Sequence, residues 1–166
     1  CIFMIQNLET YFAKDYISND YDEHVIDLVK RAKFVLDVGC GDNQFKKYGK
    51  VLGLDPYNSK ADVMIDILDF EPVIKYPLII CFGSINFYDA KWVDDRMKKV
   101  ATLLEPKGRM CFKVNPNKPF GNGVILEWFD KWTMPLIEHY AEMFNYDIEN
   151  VREGENGRIK FDYVAR

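Results

Sequence analysis

Strand-sized apolar runs alternate with helical stretches along most of this chain, and the alternation ends in two runs joined by a Gly-rich turn. The runs are Phe34–Val38, Val51–Asp55, Asp62–Asp66, Leu78–Phe82 and Gly108–Val114. The continuous apolar character of Phe34–Val38 marks a strand buried on both faces. Asp20 followed by Glu23 reads as a helix start, and Val25, Ile26, Leu28, Val29 and Ala32 then form one stripe. Asp89 reads as the cap of another helix, with the stripe Val93, Met97, Val100, Ala101 and Leu104. Such alternation predicts a parallel sheet with helices packed on its faces. At the end, Tyr146–Arg152 and Arg158–Val164 flank Glu153-Gly154-Glu155-Asn156-Gly157, which predicts an antiparallel hairpin. Its period of two puts Ile159, Phe161 and Tyr163 on one face and Lys160 and Asp162 on the other.

Two further helical stretches are read. Met4–Lys14 has Ile5, Leu8 and Phe12 at helical spacing, and the stretch from Leu126 to Phe144 restarts at Thr133 because Pro135 cannot sit inside a helix. A length of 166 residues suits one domain. Residues 1–32 are expected to be an amino-terminal helical segment packed on a single domain formed by residues 33–166.

Charge narrows the partners. The 22 basic and 26 acidic residues leave a net charge of −4, so a nucleic-acid partner is disfavoured. The longest apolar run, Leu78–Phe82, is far short of the ~20 residues of a membrane span. The cysteines at 1, 40, 81 and 111 form no CxxC pair, and His24 and His139 stand apart in the sequence, so no metal-ligand set is read. Unpaired thiols and the lack of a secretory leader pattern lead to a cytoplasmic expectation.

Chemistry concentrates in Leu36-Asp37-Val38-Gly39-Cys40-Gly41-Asp42-Asn43. Two glycines directly after a buried strand let the backbone turn sharply and approach a ligand. Asp37 could hold a ligand amine. Asp55, at the end of the next strand, could accept the hydroxyls of an adenosine ribose, since ligands of open α/β sheets bind outside the carboxyl ends of the strands. The dinucleotide fingerprint G-x-G-x-x-G needs glycine at 44, where this chain has Gln44; that weighs against a nicotinamide-dependent oxidoreductase.

In order and spacing, five segments resemble the class I S-adenosylmethionine-dependent methyltransferases: Val35–Gly41, Leu52–Pro56, Ala61–Ile67, Tyr76–Ser84 and Leu103–Arg109. The resemblance implies a Rossmann-like, doubly wound, mixed seven-stranded α/β sheet of order 3-2-1-4-5-7-6, with strand 7 antiparallel. It implies S-adenosyl-L-methionine as cofactor, with Asp37, Gly39 and Gly41 at its methionine part, Asp55 at the ribose, and Cys40 and Pro56 among the cofactor-binding residues. Asp66 and Ile67 would meet the adenine edge, and Cys81, Phe82 and Gly83 would lie beneath the sulfonium.

The chain departs from that family at Asn43, which replaces the usual third small residue. It also departs in the link from Asp55 to Asp62, which is too short for a helix. A thinly covered face is therefore expected near strands two and three, filled either by the amino-terminal helix or by a second subunit in a homodimer. At the expected mouth stand Asn86, Tyr88, Asp89, Lys113 and Asn115, of which Asn86, Tyr88 and Asn115 are the candidate acceptor contacts. Asn86-Phe87 occupies the place where many small-molecule methyltransferases carry Glu-His, so no general base is named. The expected activity is methyl transfer to a small molecule or a protein. The alternative is a non-catalytic module that binds the same cofactor for regulation or interaction.

Overall fold

The computed structural model describes residues 21–115, 129 and 131–166, the side chain at 156 excepted. The expected helix over Met4–Lys14, and the chain between 116 and 128, lie outside these residues.

Six strands form one sheet: β1 (Val35–Val38), β2 (Val51–Leu54), β3 (Tyr76–Phe82), β4 (Leu104–Val114), β5 (Tyr146–Glu153) and β6 (Ile159–Ala165), in the order β2-β1-β3-β4-β6-β5. β2, β1, β3 and β4 run parallel to one another, whereas β6 is antiparallel to both β4 and β5. The expected hairpin is therefore present. The seven-strand order 3-2-1-4-5-7-6 is corrected to six strands, because its first member, Asp62–Asp66, forms no strand. Only an isolated parallel bridge, Leu54 to Val63, is left of it. In its place side chains bind β2. The Asp62 carboxylate accepts the Gly53 N–H at 2.8 Å, and the Asp62 N–H returns to the Gly53 carbonyl at 2.9 Å.

Among the described residues, three helices cover the sheet. α1 (Glu23–Arg31) is capped by Asp22 rather than by Asp20, because the Asp22 carboxylate reaches the Val25 N–H at 3.1 Å. Its buried residues Val25, Ile26 and Val29 pack on Val35, Val51, Leu78, Ile80 and Cys111. On the opposite face lie α2 (Ala90–Leu103) and α3 (Met134–Phe144), over a larger core that includes Leu36, Ile79, Met110, Phe112, Phe161 and Tyr163. Asp89 caps α2 as expected, accepting the Trp92 N–H at 2.9 Å, but Leu104 opens β4 instead of closing the helical stripe. Thr133 is the N-cap of α3, and Pro135 lies in its first turn, where a missing N–H costs nothing. Two buried aromatic tips are satisfied: Trp132 Nε1 donates to the Ile85 carbonyl at 2.8 Å and the Tyr163 hydroxyl to that of Ile137 at 2.7 Å.

No helix follows Asp55 before the short 3₁₀ turn Ile67–Asp69, as the short link predicts; the amino-terminal segment that could cover this face lies outside the described residues. Val63, Met64, Leu68, Val73 and Ile74 are exposed along the face. Among the described residues, no helix is long and apolar enough to cross a membrane.

Candidate functional site

β1 ends in a turn whose geometry only glycine accepts easily. Gly39 and Gly41 have φ of +68° and +55°, in the left-handed region. A Cβ on Gly39 would lie 2.3 Å from the Cβ of Ser84, so torsion and close packing against the chain after β3 both require its absence. The Cys40 N–H donates to the Leu54 carbonyl at 2.8 Å and draws the turn across to the end of β2. There Asp55 waits, 6% exposed. One of its oxygens accepts the Gly41 N–H at 3.0 Å, and the other accepts the Tyr57 and Asn58 N–H groups at 2.8 and 2.9 Å. Burial raises the Asp55 pKa, and these three bonds oppose the rise. A carboxylate has about four acceptor places, so Asp55 both closes the turn and keeps an acceptor place for a ligand hydroxyl. Pro56, next in the chain, is exposed.

Asp37 is 2% exposed on β1. Burial, reinforced by the charges of Asp55 and Asp42, pushes its pKa up to about 8. A cation placed beside it would reverse that cost, which suits Asp37 to a ligand amine. Across the switch point, Gly83 has φ of +69°, and a Cβ built on it would meet, among the described residues, only the Lys113 Cε at 4.0 Å. Among the described residues, nothing else comes within 4 Å of that position at the end of β3. Phe82, beside it, stands edge-on to Phe45 at 5.7 Å. Cys40, Cys81 and Cys111 are buried free thiols whose pKa values burial drives upward; they are core residues, not nucleophiles.

Asp66 and Ile67 sit where the chain turns toward α2. The Asp66 carboxylate accepts the Leu68 N–H at 2.9 Å and pairs with Arg96 at 2.8 Å, and Ile67 is buried. The Arg96 guanidinium lies 3.8 Å from the Trp92 ring centroid, a cation–π contact. The sequence reading missed Arg96, whose neighbours in the α2 stripe gave it no distinguishing signal.

The acceptor candidates divide. Asn86 and Asn115, both buried, come together where β3 and β4 end: Asn86 Oδ1 accepts the Asn115 N–H at 3.0 Å. Tyr88, at φ +58°, instead stands against Trp92, with ring centroids 5.4 Å apart. Asn43 also has a positive φ, +62°. Its amide donates to the Lys60 carbonyl and to Asp62 at 3.2 and 3.1 Å, so this departure from the family pattern has a structural role.

His24 is not isolated in space. It meets the fully buried Asp162 at 2.7 Å, and ligand atoms of His24, Cys111 and Asp162 lie within 4.8 Å of one another. Arg109 donates to that same Asp162 oxygen at 2.6 Å. The guanidinium therefore already supplies this carboxylate with a cation, and the Cys111 thiol is held protonated by burial.

No family model matches the chain, and no curated protein sequence does. Solved structures do. The chain is similar to the 1,6-didemethyltoxoflavin-N1-methyltransferase of Burkholderia thailandensis, crystallised with bound 1,6-didemethyltoxoflavin and S-adenosylhomocysteine, at 13% identity and TM-score 0.70, over 97% of this chain and 88% of that one. It is similar to the magnesium protoporphyrin IX methyltransferase of Synechocystis PCC 6803 with S-adenosylhomocysteine, at 13% identity and TM-score 0.69, over 97% and 99% of the two chains. The N-methyltransferase NodS of Bradyrhizobium japonicum WM9, also with S-adenosylhomocysteine, matches at 12% identity and TM-score 0.66, over 96% and 97%. The mixed sheet, its terminal antiparallel hairpin and these likenesses agree: the chain has the fold of the class I S-adenosylmethionine-dependent methyltransferases.

Proposed function

We propose that this chain binds S-adenosyl-L-methionine and catalyses transfer of its methyl group to a small-molecule or protein acceptor. The observation that carries the reading is the meeting of the Gly39–Gly41 turn with Asp55, beside buried Asp37 and opposite Gly83, at the point where the sheet order reverses. The residues fit the cofactor. Asp37 offers a buried acid to the amine, Asp55 an acceptor to the ribose, and Gly83 puts no side chain beneath the sulfonium. Bound there, the cofactor would supply an electrophilic methyl group, and the chain's part is to hold an acceptor lone pair in line with it. Such positioning can account for much of the acceleration.

A second reading, a binding module without chemistry, has one observation in its favour. Asn86 and Asn115 bond to each other at the mouth, and neither side chain can act as a base there. Calorimetry with S-adenosylmethionine, S-adenosylhomocysteine and NAD tests the site; the proposal expects both sulfur ligands to bind and NAD not to. Transfer of labelled methyl to any component of a metabolite or lysate pool then favours the enzyme, and its failure across such pools favours the module.

A further inference from the structure

β1, β2 and β3 run parallel, so the segments that lead into them all arrive at one end of the sheet, the amino end. Phe34 precedes β1, residues 46–50 precede β2, and Val73-Ile74-Lys75 precedes β3. This end is opposite the Gly39–Gly41 turn and Asp55. From Phe34 to Gly39 the chain covers about 17 Å, at ~3.3 Å per residue.

Positive charge gathers here in a chain whose net charge is −4. Lys30 and Arg31 close α1, Lys33 follows, and Lys46, Lys47 and Lys50 stand before β2. Lys46 is paired with Asp62, and Glu71, at the start of the loop before β3, is paired with Lys99 at 2.6 Å. The other cations lean on rings instead. The ammonium groups of Lys30 and Lys47 lie 5.9 and 5.1 Å from the Tyr48 ring centroid, and that of Lys33 lies 5.7 Å from the Phe34 ring centroid.

Apolar surface gathers at the same end. Val73 is fully exposed, and Ile74 and Phe34 are 45% and 37% exposed. Phe34 and Ile74 share a recess of about 290 Å³ with Lys46, Lys50 and Tyr76, so the apolar and basic groups adjoin.

We propose that the amino end of the sheet is a docking face for a membrane surface that contains anionic lipid. Val73 and Ile74 enter the headgroup layer, and the surrounding lysines meet lipid phosphates and carboxylates. The contact is peripheral and needs no spanning segment. Charge selects an anionic partner, and shape selects lipid among anionic partners. A valine with its whole side chain in solvent stands proud of the surface. A bilayer interface yields around such a tip, whereas a nucleic-acid backbone offers charge but no apolar layer to receive it. Docked in this way, the chain turns the Gly39–Gly41 turn and Asp55 away from the membrane. The inference is independent of the methyltransferase reading, because the two sites lie at opposite ends of the strands.

The test is cosedimentation of the whole chain with vesicles of equal parts phosphatidylcholine and phosphatidylserine, and with vesicles of phosphatidylcholine alone. The mixed vesicles should bind the parent at least ~tenfold more tightly than the neutral ones, and added salt should release it. Val73→Asp should weaken binding to the mixed vesicles severalfold. Lys33→Gln, Lys47→Gln and Lys50→Gln combined should weaken it at least ~tenfold. These side chains are exposed, so both variants should melt as the parent does, and either alone carries the test if the other fails to fold. The proposal is overturned if the parent does not sediment with the mixed vesicles, if neutral vesicles bind it equally well, or if either folded variant binds as the parent does. Binding of a labelled uridine oligonucleotide by a chain that ignores the vesicles would also overturn it, and would assign the basic face to nucleic acid.

Discussion

The amide of Asn43 donates to the carboxylate of Asp62 at 3.1 Å, 19 residues further along the chain, and this bond stands where the fold would otherwise have an edge strand. Asp62 also takes the Gly53 N–H and an ion pair from Lys46. A Cβ on Gly53 would fall 2.3 Å from Asn43 Oδ1, so the clamp needs glycine opposite it. Asp62→Ala takes the carboxylate from the Gly53 N–H and leaves the Asn43 amide only the Lys60 carbonyl, and should cost about 1–3 kcal/mol in denaturant unfolding. Burial raises the Asp62 pKa, but Lys46, the Gly53 N–H and Asn43 outweigh it, so the net shift is downward. The contribution is therefore present above pH ~4, the unfolded value, and is lost as pH falls below it. An Asp62→Ala variant whose unfolding midpoint equals the parent's at pH 7 would show that the clamp carries no stability.

What was legible in the sequence follows the range of the interactions. β1, β2 and the hairpin were readable because continuous apolar runs and a period of two are local signals. Asp62–Asp66 imitates a strand by the same alternation. Its carboxylates were recruited elsewhere, Asp62 to β2 and Asp66 to a turn and Arg96, and no local pattern reveals that. Gly39, Gly41 and Asp55 were legible as a turn and an acid. That Asp55 closes the turn on Gly41 was not, because the bond depends on the register of β1 with β2. His24 with Asp162, and Asp22 with Lys160, lie 138 residues apart, and only the antiparallel placement of β6 under α1 joins them.

Asp55 binds the protein as well as the proposed ribose, so its variants must be read with two measurements. In Asp55→Asn, the amide oxygen can still take the Tyr57 and Asn58 N–H groups, but its NH₂ then faces the Gly41 N–H, donor against donor. Thermal unfolding should report a loss of about 1–3 kcal/mol. S-adenosylhomocysteine affinity, measured well below the melting transition, should fall at least ~tenfold, equivalent to about 1.4 kcal/mol. Unchanged affinity in a folded variant would remove the ribose assignment.

Gly39 and Gly83 share nearly the same positive φ but differ in what surrounds them, and that contrast separates folding from binding. Gly39→Ala drives a methyl into Ser84 at 2.3 Å on top of the torsional cost of about 1–2 kcal/mol, so it should be the more destabilising by a further ~1 kcal/mol or more. Gly83→Ala meets, among the described residues, only the Lys113 Cε at 4.0 Å, an ordinary contact, and should show the torsional cost alone. If the sulfonium sits over Gly83, however, that same methyl should weaken S-adenosylhomocysteine binding severalfold or more in a protein that still melts cooperatively. Equal stability losses in the two variants, with full affinity in Gly83→Ala, would contradict the placement.

Asp37 ties stability and binding to pH in opposite directions. Its folded pKa of about 8 lies far above the ordinary 3.8 because of burial, then Asp55 and Asp42. Between those two values the unfolded chain has released the proton and the folded chain has kept it. Stability from this group is therefore full below pH ~4 and declines as pH rises toward 8, by at most ~1.4 kcal/mol per pH unit. Asp37→Asn removes the titration, so its stability relative to the parent should improve steadily from pH 5 to pH 8 in urea titrations. A ligand that brings an ammonium to Asp37 favours the ionised form, and binding near pH 6 requires the carboxyl to give up its proton. S-adenosylhomocysteine affinity should accordingly rise from pH 6 to pH 8 in the parent, and calorimetry at pH 6 in buffers of different ionisation enthalpy should detect proton release. In Asp37→Asn the affinity should be weaker and flat across the same range; a parental pH slope retained in that variant would assign the proton to another group.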